Sequence, residues 1–200
     1  MKLASITLSA AAFAIAAVAA SPAQAATIVN LDGMANASEE GANGITLNLA
    51  AGTYSLSFVQ GDYIAFNRFS STSGCDGDGK NCRLGWENSA RYNIGADTHL
   101  FGDGAGTGGF GPLGVGDGYF SSDNLSFANS GAYLDTFTLD VPGAVTFFIY
   151  DDILTDNQGG VSLAISAVPE PATWLMMFVG IGAIGGFMRR KRVSVSVRYA

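Results

Sequence analysis

The sequence is poor in basic residues and has almost no histidine. Between Thr27 and Val168, four Lys or Arg residues stand against 16 acidic residues, a net charge of −12. Since nucleic-acid binding depends on Lys and Arg contacts with phosphates, this balance argues against a nucleic-acid partner. His99 is the single histidine and would have to be the base of any Ser-His-Asp triad, and no Gly-x-Ser-x-Gly turn surrounds a serine. Catalysis is therefore disfavoured, and a hydrolase is the least favoured class of function.

Cysteine is also scarce, because Cys75 and Cys82 are the only two. Their spacing and the single histidine disfavour a structural zinc site. In an exported protein such a pair usually forms a disulfide. We therefore predict a small loop closed by Cys75 and Cys82, with two free buried thiols as the alternative.

The N-terminal 25 residues have the pattern of a cleavable signal peptide. Lys2 is followed by an alanine-rich apolar run from Leu3 to Ala20, and Ala23-Gln24-Ala25 has the small-x-small pattern of a signal-peptidase site. The predicted mature chain starts at Ala26. A retained N-terminal membrane helix is the alternative.

The C-terminal region combines a proline-rich start, an apolar segment and a basic cluster. Pro171 can occupy the first turn of a helix without losing a hydrogen bond. Residues 172–188 carry no charge, and as a helix they would extend about 25 Å, near the short limit for a transmembrane span. The basic cluster that follows favours the cytoplasmic side of the inner membrane, with the body outside. A buried core helix is the alternative.

This arrangement resembles the PEP-CTERM sorting signal of Gram-negative bacteria, which the membrane protease-transpeptidase exosortase recognises. The resemblance covers residues 169–192, before a short tail at 193–200, and is carried by Pro169, Glu170, Pro171, Trp174, Arg189, Arg190, Lys191 and Arg192. It implies transient insertion in the inner membrane, processing by exosortase, and release or attachment at the cell surface alongside exopolysaccharide.

Between the two signals, residues 26–168 are long enough for one domain with its own core. Apolar and polar residues alternate in Thr53–Val59, in Thr136–Val141 and in Val161–Ile165, which predicts half-buried antiparallel strands. Further strand-length runs cover residues 45–49, 63–69 and 144–150. Because no segment has the pattern of an amphipathic helix, these strand-length runs predict an all-β antiparallel sandwich. The glycine-rich stretch from Leu100 to Gly118 is predicted to be a long surface loop.

Aromatic residues surround the cysteine loop and could stack on sugar rings. They are Tyr63, Phe66, Phe69, Trp86 and Tyr92. Packing in the core explains most of them equally well.

Polar residues concentrate in the connection 151–160, between two strand-like runs. Carboxylate and amide oxygens are the ligands that Ca²⁺ prefers. This stretch resembles the calcium-bearing connection of galactose-binding lectins of the bacterial PA-I type, which are small jelly-roll sandwiches. By that resemblance Asp152, Thr155, Asp156 and Asn157 would be ligands, and Ca²⁺ is the one cofactor suggested. An Asx-rich turn that binds nothing is the alternative.

Taken together, the sequence predicts an exported jelly-roll-like sandwich that signal peptidase and exosortase process. We expect a non-catalytic structural or matrix-associated component of the cell surface or exopolysaccharide. A calcium-dependent carbohydrate-binding module is the alternative.

Overall fold

A computed structural model describes residues 25–103, 119–169 and 173–190. In this part of the chain the strands form two antiparallel sheets. The first sheet has the order β1 (Thr27–Asp32), β9 (Gln158–Ala167), β3 (Gly52–Phe58), β7 (Leu134–Leu139), and the two-residue β4 (Phe66–Asn67) also pairs with β9. The second has the order β2 (Ile45–Leu49), β8 (Gly143–Phe148), β5 (Ser89–Ile94), β6 (Asp97–Gly102). The prediction of a mostly β, antiparallel body is confirmed.

Buried side chains from both sheets form one hydrophobic cluster. In β3 the alternation holds as predicted, since Tyr54, Leu56 and Phe58 are buried while the serines between them are partly exposed. From the second sheet, Val145 and Phe147 join the same cluster. The two sheets therefore share a single core.

Strand β9 is more deeply buried than its alternating sequence predicts. Ser162 and Ala164 are buried along with the apolar residues between them. The reason is that the strand lies between β1 and β3, and the segment at Tyr63 covers its other face: Tyr63 N donates to Ser162 Oγ at 3.1 Å, and that hydroxyl donates to Tyr63 O at 2.8 Å. The prediction of a half-buried strand is wrong here.

Three other predictions from the sequence need correction. Val141 is 70 % exposed, because β7 ends at Leu139 and the chain turns into β8. Only Phe66–Asn67 of the run 63–69 is a strand. Leu100–Gly102 belongs to β6 and not to a loop, whereas residues 104–118 lie outside the described part.

The body also contains a helix that the sequence pattern did not predict. Helix α1 (Asp123–Ser130) begins after Ser122, whose side chain accepts a hydrogen bond from Leu125 N. Its buried residues are Ser126 and Ser130. A helix that buries serines has no apolar stripe to detect.

The C-terminal segment is helical, as predicted. Helix α2 (Thr173–Arg190) nearly coincides with the span expected at 172–188. Among the described residues, however, no helix meets the combined length and hydropathy expected of a membrane span. Residues 1–24, 170–172 and 191–200 are outside the described part, so most of the predicted signal peptide, Glu170, Pro171, Lys191 and Arg192 fall there.

Candidate functional site

A cleft of about 470 Å³ lies where the connection between β8 and β9 faces the residues that follow the cysteine loop. Its lining combines two arginines, three aspartates and four apolar or aromatic residues: Arg68, Phe69, Arg83, Leu84, Tyr119, Asp151, Asp152, Ile153 and Asp156. Sites for small molecules in proteins commonly enclose about 300–1,000 Å³. The cleft is therefore large enough to hold a ligand.

Arg83 and Leu84, which directly follow the cysteine loop, supply one wall. Cys75 and Cys82 form the predicted disulfide. Asp76 organises the loop, because its carboxylate accepts hydrogen bonds from Lys80 N at 2.8 Å, Asp78 N at 3.0 Å and Asn81 Nδ2 at 2.8 Å. These bonds, led by that from Lys80 N, lower the pKa of Asp76. The ordered loop then carries the chain into Arg83 and Leu84.

Two aromatic rings line the cleft beside this wall. Tyr119 is attached to the loop because Cys82 N donates to Tyr119 O at 2.9 Å. Its ring meets Phe69 edge to face, with centroids 5.5 Å apart. Burial, followed by the charge of Glu87, raises the pKa of the Tyr119 hydroxyl. That hydroxyl therefore stays protonated and able to donate.

Arg68 lines the cleft and forms an ion pair with a carboxylate buried behind it. Its Nε lies 2.7 Å from Glu87 Oε1, and the Glu87 side chain is fully buried. The two residues are held on facing segments, since Phe66 and Glu87 exchange backbone hydrogen bonds of 3.0 and 2.8 Å. Burial raises the pKa of the Glu87 carboxyl and outweighs the opposing effect of Arg68. The pair fixes the position of one cationic side chain of the cleft.

The connection between β8 and β9 supplies the opposite wall. The Asp151 carboxylate caps this turn, because its Oδ1 accepts from Asp152 N at 2.8 Å and from Ile153 N at 3.2 Å. Asp151 is only 7 % exposed, and its Oδ2 has no hydrogen-bond partner among the described residues. The buried Oδ1 of Asp156 likewise has no hydrogen-bond partner among the described residues. Two buried acceptors on this wall thus lack donors in the described part of the chain.

The four predicted calcium ligands lie in different surroundings. Asp152 and Asp156 line the cleft, while Thr155 is exposed and does not contribute to the lining. Asn157 is buried and donates from Nδ2 to Gly33 O at 2.6 Å. Within the described ranges, no group of three or more His, Cys, Asp or Glu side chains is placed to hold a metal ion. The calcium prediction therefore gains no support.

The aromatic residues around the cysteine loop have different roles. Phe66 and Tyr92 are buried in the core, whereas Tyr63, Phe69 and Trp86 are partly exposed. Of these five, only Phe69 lines the cleft. His99 is exposed on β6 and stacks on Tyr92 with ring centroids 4.9 Å apart.

Sequence reasoning missed Arg68, Arg83 and Tyr119 as residues of the site, and it missed the capping role of Asp151. One signal was present, because Arg68 and Arg83 are two of only four basic residues in the acidic body. Tyr119 carried no comparable signal, since it follows the glycine-rich stretch and reaches the site by pairing with Cys82.

Comparison with known proteins identifies one segment. The model of the PEP-CTERM protein-sorting motif matches residues 167–192, a span that contains all eight residues predicted to form the sorting signal. Neither the curated proteins nor the solved structures contain a match to this chain. The chain therefore carries the recognition signal of exosortase, and its resemblance to PA-I type lectins is not shown.

Proposed function

We infer from the sorting motif at residues 167–192 that this protein is an exported exosortase substrate and a non-catalytic component of the cell surface. In this proposal the two signals direct an acidic β body through the inner membrane, and α2 holds it there until processing. The body then serves in the matrix at the cell surface, alongside exopolysaccharide.

The sorting motif begins where the folded body ends, which supports processing at this point. Strand β9 ends at Ala167, where the motif begins, and the last backbone hydrogen bond to the sheet runs from Val168 N to Thr53 O at 2.8 Å. The Pro-Glu-Pro segment follows immediately. Cleavage there would remove the tail without breaking a hydrogen bond of the sheets.

The strand order supports a jelly-roll sandwich for this body. Apart from the short β4, the strands run β1-β9-β3-β7 in one sheet and β2-β8-β5-β6 in the other. The first strand thus lies beside the last, and the second beside the one before the last, as expected for a pair of Greek keys. Such a body folds around a core shared by its two sheets.

The sorting role is tested with Glu170→Ala in cells that contain exosortase. We expect the variant to stay unprocessed in the inner membrane, because the Pro-Glu-Pro segment that the enzyme recognises has lost its only charge. Membrane fractionation, intact mass and surface labelling measure this. Glu39→Ala, which removes an exposed glutamate from the body, is the matched control and should be processed normally. Normal processing and display of Glu170→Ala would contradict the proposal.

A further inference from the structure

The cleft between the Arg83–Leu84 segment and the β8–β9 connection has the chemistry of a ligand site, independently of how the chain is sorted. Each wall adjoins a fixed turn, one closed by the Cys75–Cys82 disulfide and the other capped by Asp151. We propose that this cleft binds a neutral sugar unit of a glycan by direct hydrogen bonds, without a metal ion.

The unpartnered acceptors are the first reason. A buried carboxylate oxygen without a donor costs free energy, so buried polar atoms are nearly always hydrogen-bonded. Asp151 Oδ2 and Asp156 Oδ1 are two such atoms in residues that line the cleft, and neither has a donor in the described part of the chain. Both oxygens have almost no accessible surface in this structure, so hydroxyl groups of a ligand would supply the missing donors after the two side chains rotate toward the cleft.

The charges of the lining select a neutral ligand. Three aspartates would repel an anion, and Arg68 and Arg83 would repel a cation. A hydroxyl group can donate to a carboxylate and also accept from a guanidinium. A molecule with several hydroxyls therefore matches both kinds of side chain at once.

The aromatic rings distinguish a sugar from a simpler polyol. Phe69 and Tyr119 meet edge to face at the cleft, so the faces of the two rings are not stacked against each other. The C–H groups on one side of a pyranose favour the electron-rich face of an aromatic ring. The protonated Tyr119 hydroxyl adds a further donor at the same place.

A glycan array is the direct test, probed with the purified full-length chain with and without EDTA. The array carries neutral glycans ending in glucose, galactose, mannose or N-acetylglucosamine, together with uronate, sulfated and amino-sugar glycans. We expect binding to neutral glycans that EDTA does not change. Absence of neutral-glycan binding, preference for charged glycans, or loss of binding in EDTA would each overturn the proposal.

Two variants connect the binding to the cleft. Asp151→Asn keeps an oxygen for the cap but turns the unpartnered acceptor into a donor, and should weaken binding roughly tenfold to hundredfold. Its control is Asp140→Asn, at an exposed aspartate outside the lining. Arg83→Met keeps the side-chain stem and removes the donors, and should weaken binding roughly threefold to tenfold.

Lys80→Met is the control for Arg83→Met, because it removes an exposed cation of the neighbouring cysteine loop that does not line the cleft. Thermal unfolding identifies folded variants. If Asp151→Asn does not fold, Arg83→Met decides the question. Unchanged binding by a folded Asp151→Asn, or by Arg83→Met, would place the glycan elsewhere and overturn the proposal. Because this test uses purified protein, its failure is distinguishable from a failure of sorting.

Discussion

Glu87 is the most deeply buried acidic side chain of the described body, and Arg68 stabilises its charged form. The carboxylate is fully buried, with the Arg68 guanidinium at 2.7 Å. Desolvation of both ions opposes folding, so the pair adds little net stability, but removal of one partner leaves a buried charge uncompensated. Arg68 also lies over the Phe66 ring, 5.6 Å from its centroid.

Arg68→Met should therefore destabilise the protein by about 3–5 kcal/mol near neutral pH. Urea denaturation measures the change in the free energy of unfolding. Arg83→Met, at an exposed arginine, is the control and should change that free energy by less than about 0.5 kcal/mol. Equal effects of the two substitutions would contradict the importance of the Glu87 pair.

The pH dependence of this effect follows from the pKa of Glu87. Burial raises that pKa above its ordinary value of 4.5 in the folded protein. The folded state then binds the proton more tightly, so the contribution of Glu87 to stability is present below pH 4.5 and is lost as the pH rises through the raised pKa. Loss of Arg68 raises the pKa further. The difference between parent and Arg68→Met should thus shrink as the pH falls, and a difference independent of pH would argue against this mechanism.

At the scale of elements, the cysteine loop is closed by one covalent bond and leads directly into the cleft residues Arg83 and Leu84. Cys75 and Cys82 are seven positions apart, so the bond removes only a small loop's freedom from the unfolded chain. The chain-entropy relation gives about 2.5 kcal/mol for a loop of this size. Asp76, with its three hydrogen bonds, organises the same loop without the disulfide.

The double variant Cys75→Ala, Cys82→Ala should accordingly lose about 2.5 kcal/mol of stability and still fold. Chemical denaturation with and without reductant measures this. Reductant should lower the stability of the parent by a similar amount and leave the double variant unchanged. A variant as stable as the oxidised parent would show that the disulfide does not constrain the unfolded chain.

Elements with a polar–apolar alternation or an uninterrupted apolar run could be predicted from the sequence, whereas β6 and α1 could not. β2 and β3 were found because each faces the core on one side only. In β6, by contrast, the first three residues are exposed and only Phe101 and Gly102 are buried, so no alternation develops. Helix α1 exposes or half-buries its apolar residues and buries two serines, one of which, Ser126, accepts from Asn88 Nδ2 at 2.8 Å. Tertiary contacts of this kind leave no local pattern.

At the scale of the whole molecule, the route of export rests on short local signals, and the site rests on distant contacts. The sorting motif can be recognised in 26 consecutive residues. The cleft requires residues 68–69, 83–84, 119 and 151–156 to meet. Only the fold brings these four segments together, which explains why the motif could be predicted and the cleft could not.

The signal peptide that the sequence predicts at the N-terminus can be tested at this scale. The exported protein should begin at Ala26, one residue before β1, because signal peptidase needs small residues at Ala23 and Ala25. Ala25→Leu should leave residues 1–25 attached, as intact mass and N-terminal sequencing would show. Ala17→Leu, within the apolar run, is the control and should be cleaved normally. Cleavage of Ala25→Leu at the same bond would show that signal peptidase does not depend on a small residue at position 25.

The pairing of β1 with β9 places the start of β1 and the departure of the sorting tail at one pole of the first sheet. Thr27 lies opposite Ile165, and Asp32 lies opposite Gly160, so the first strand starts at the same pole from which the sorting tail departs. The β8–β9 connection enters β9 at the other pole, about 30 Å away along ten residues of strand. A body tethered by its tail would thus hold the cleft at its distal tip, open to the surroundings before exosortase has acted.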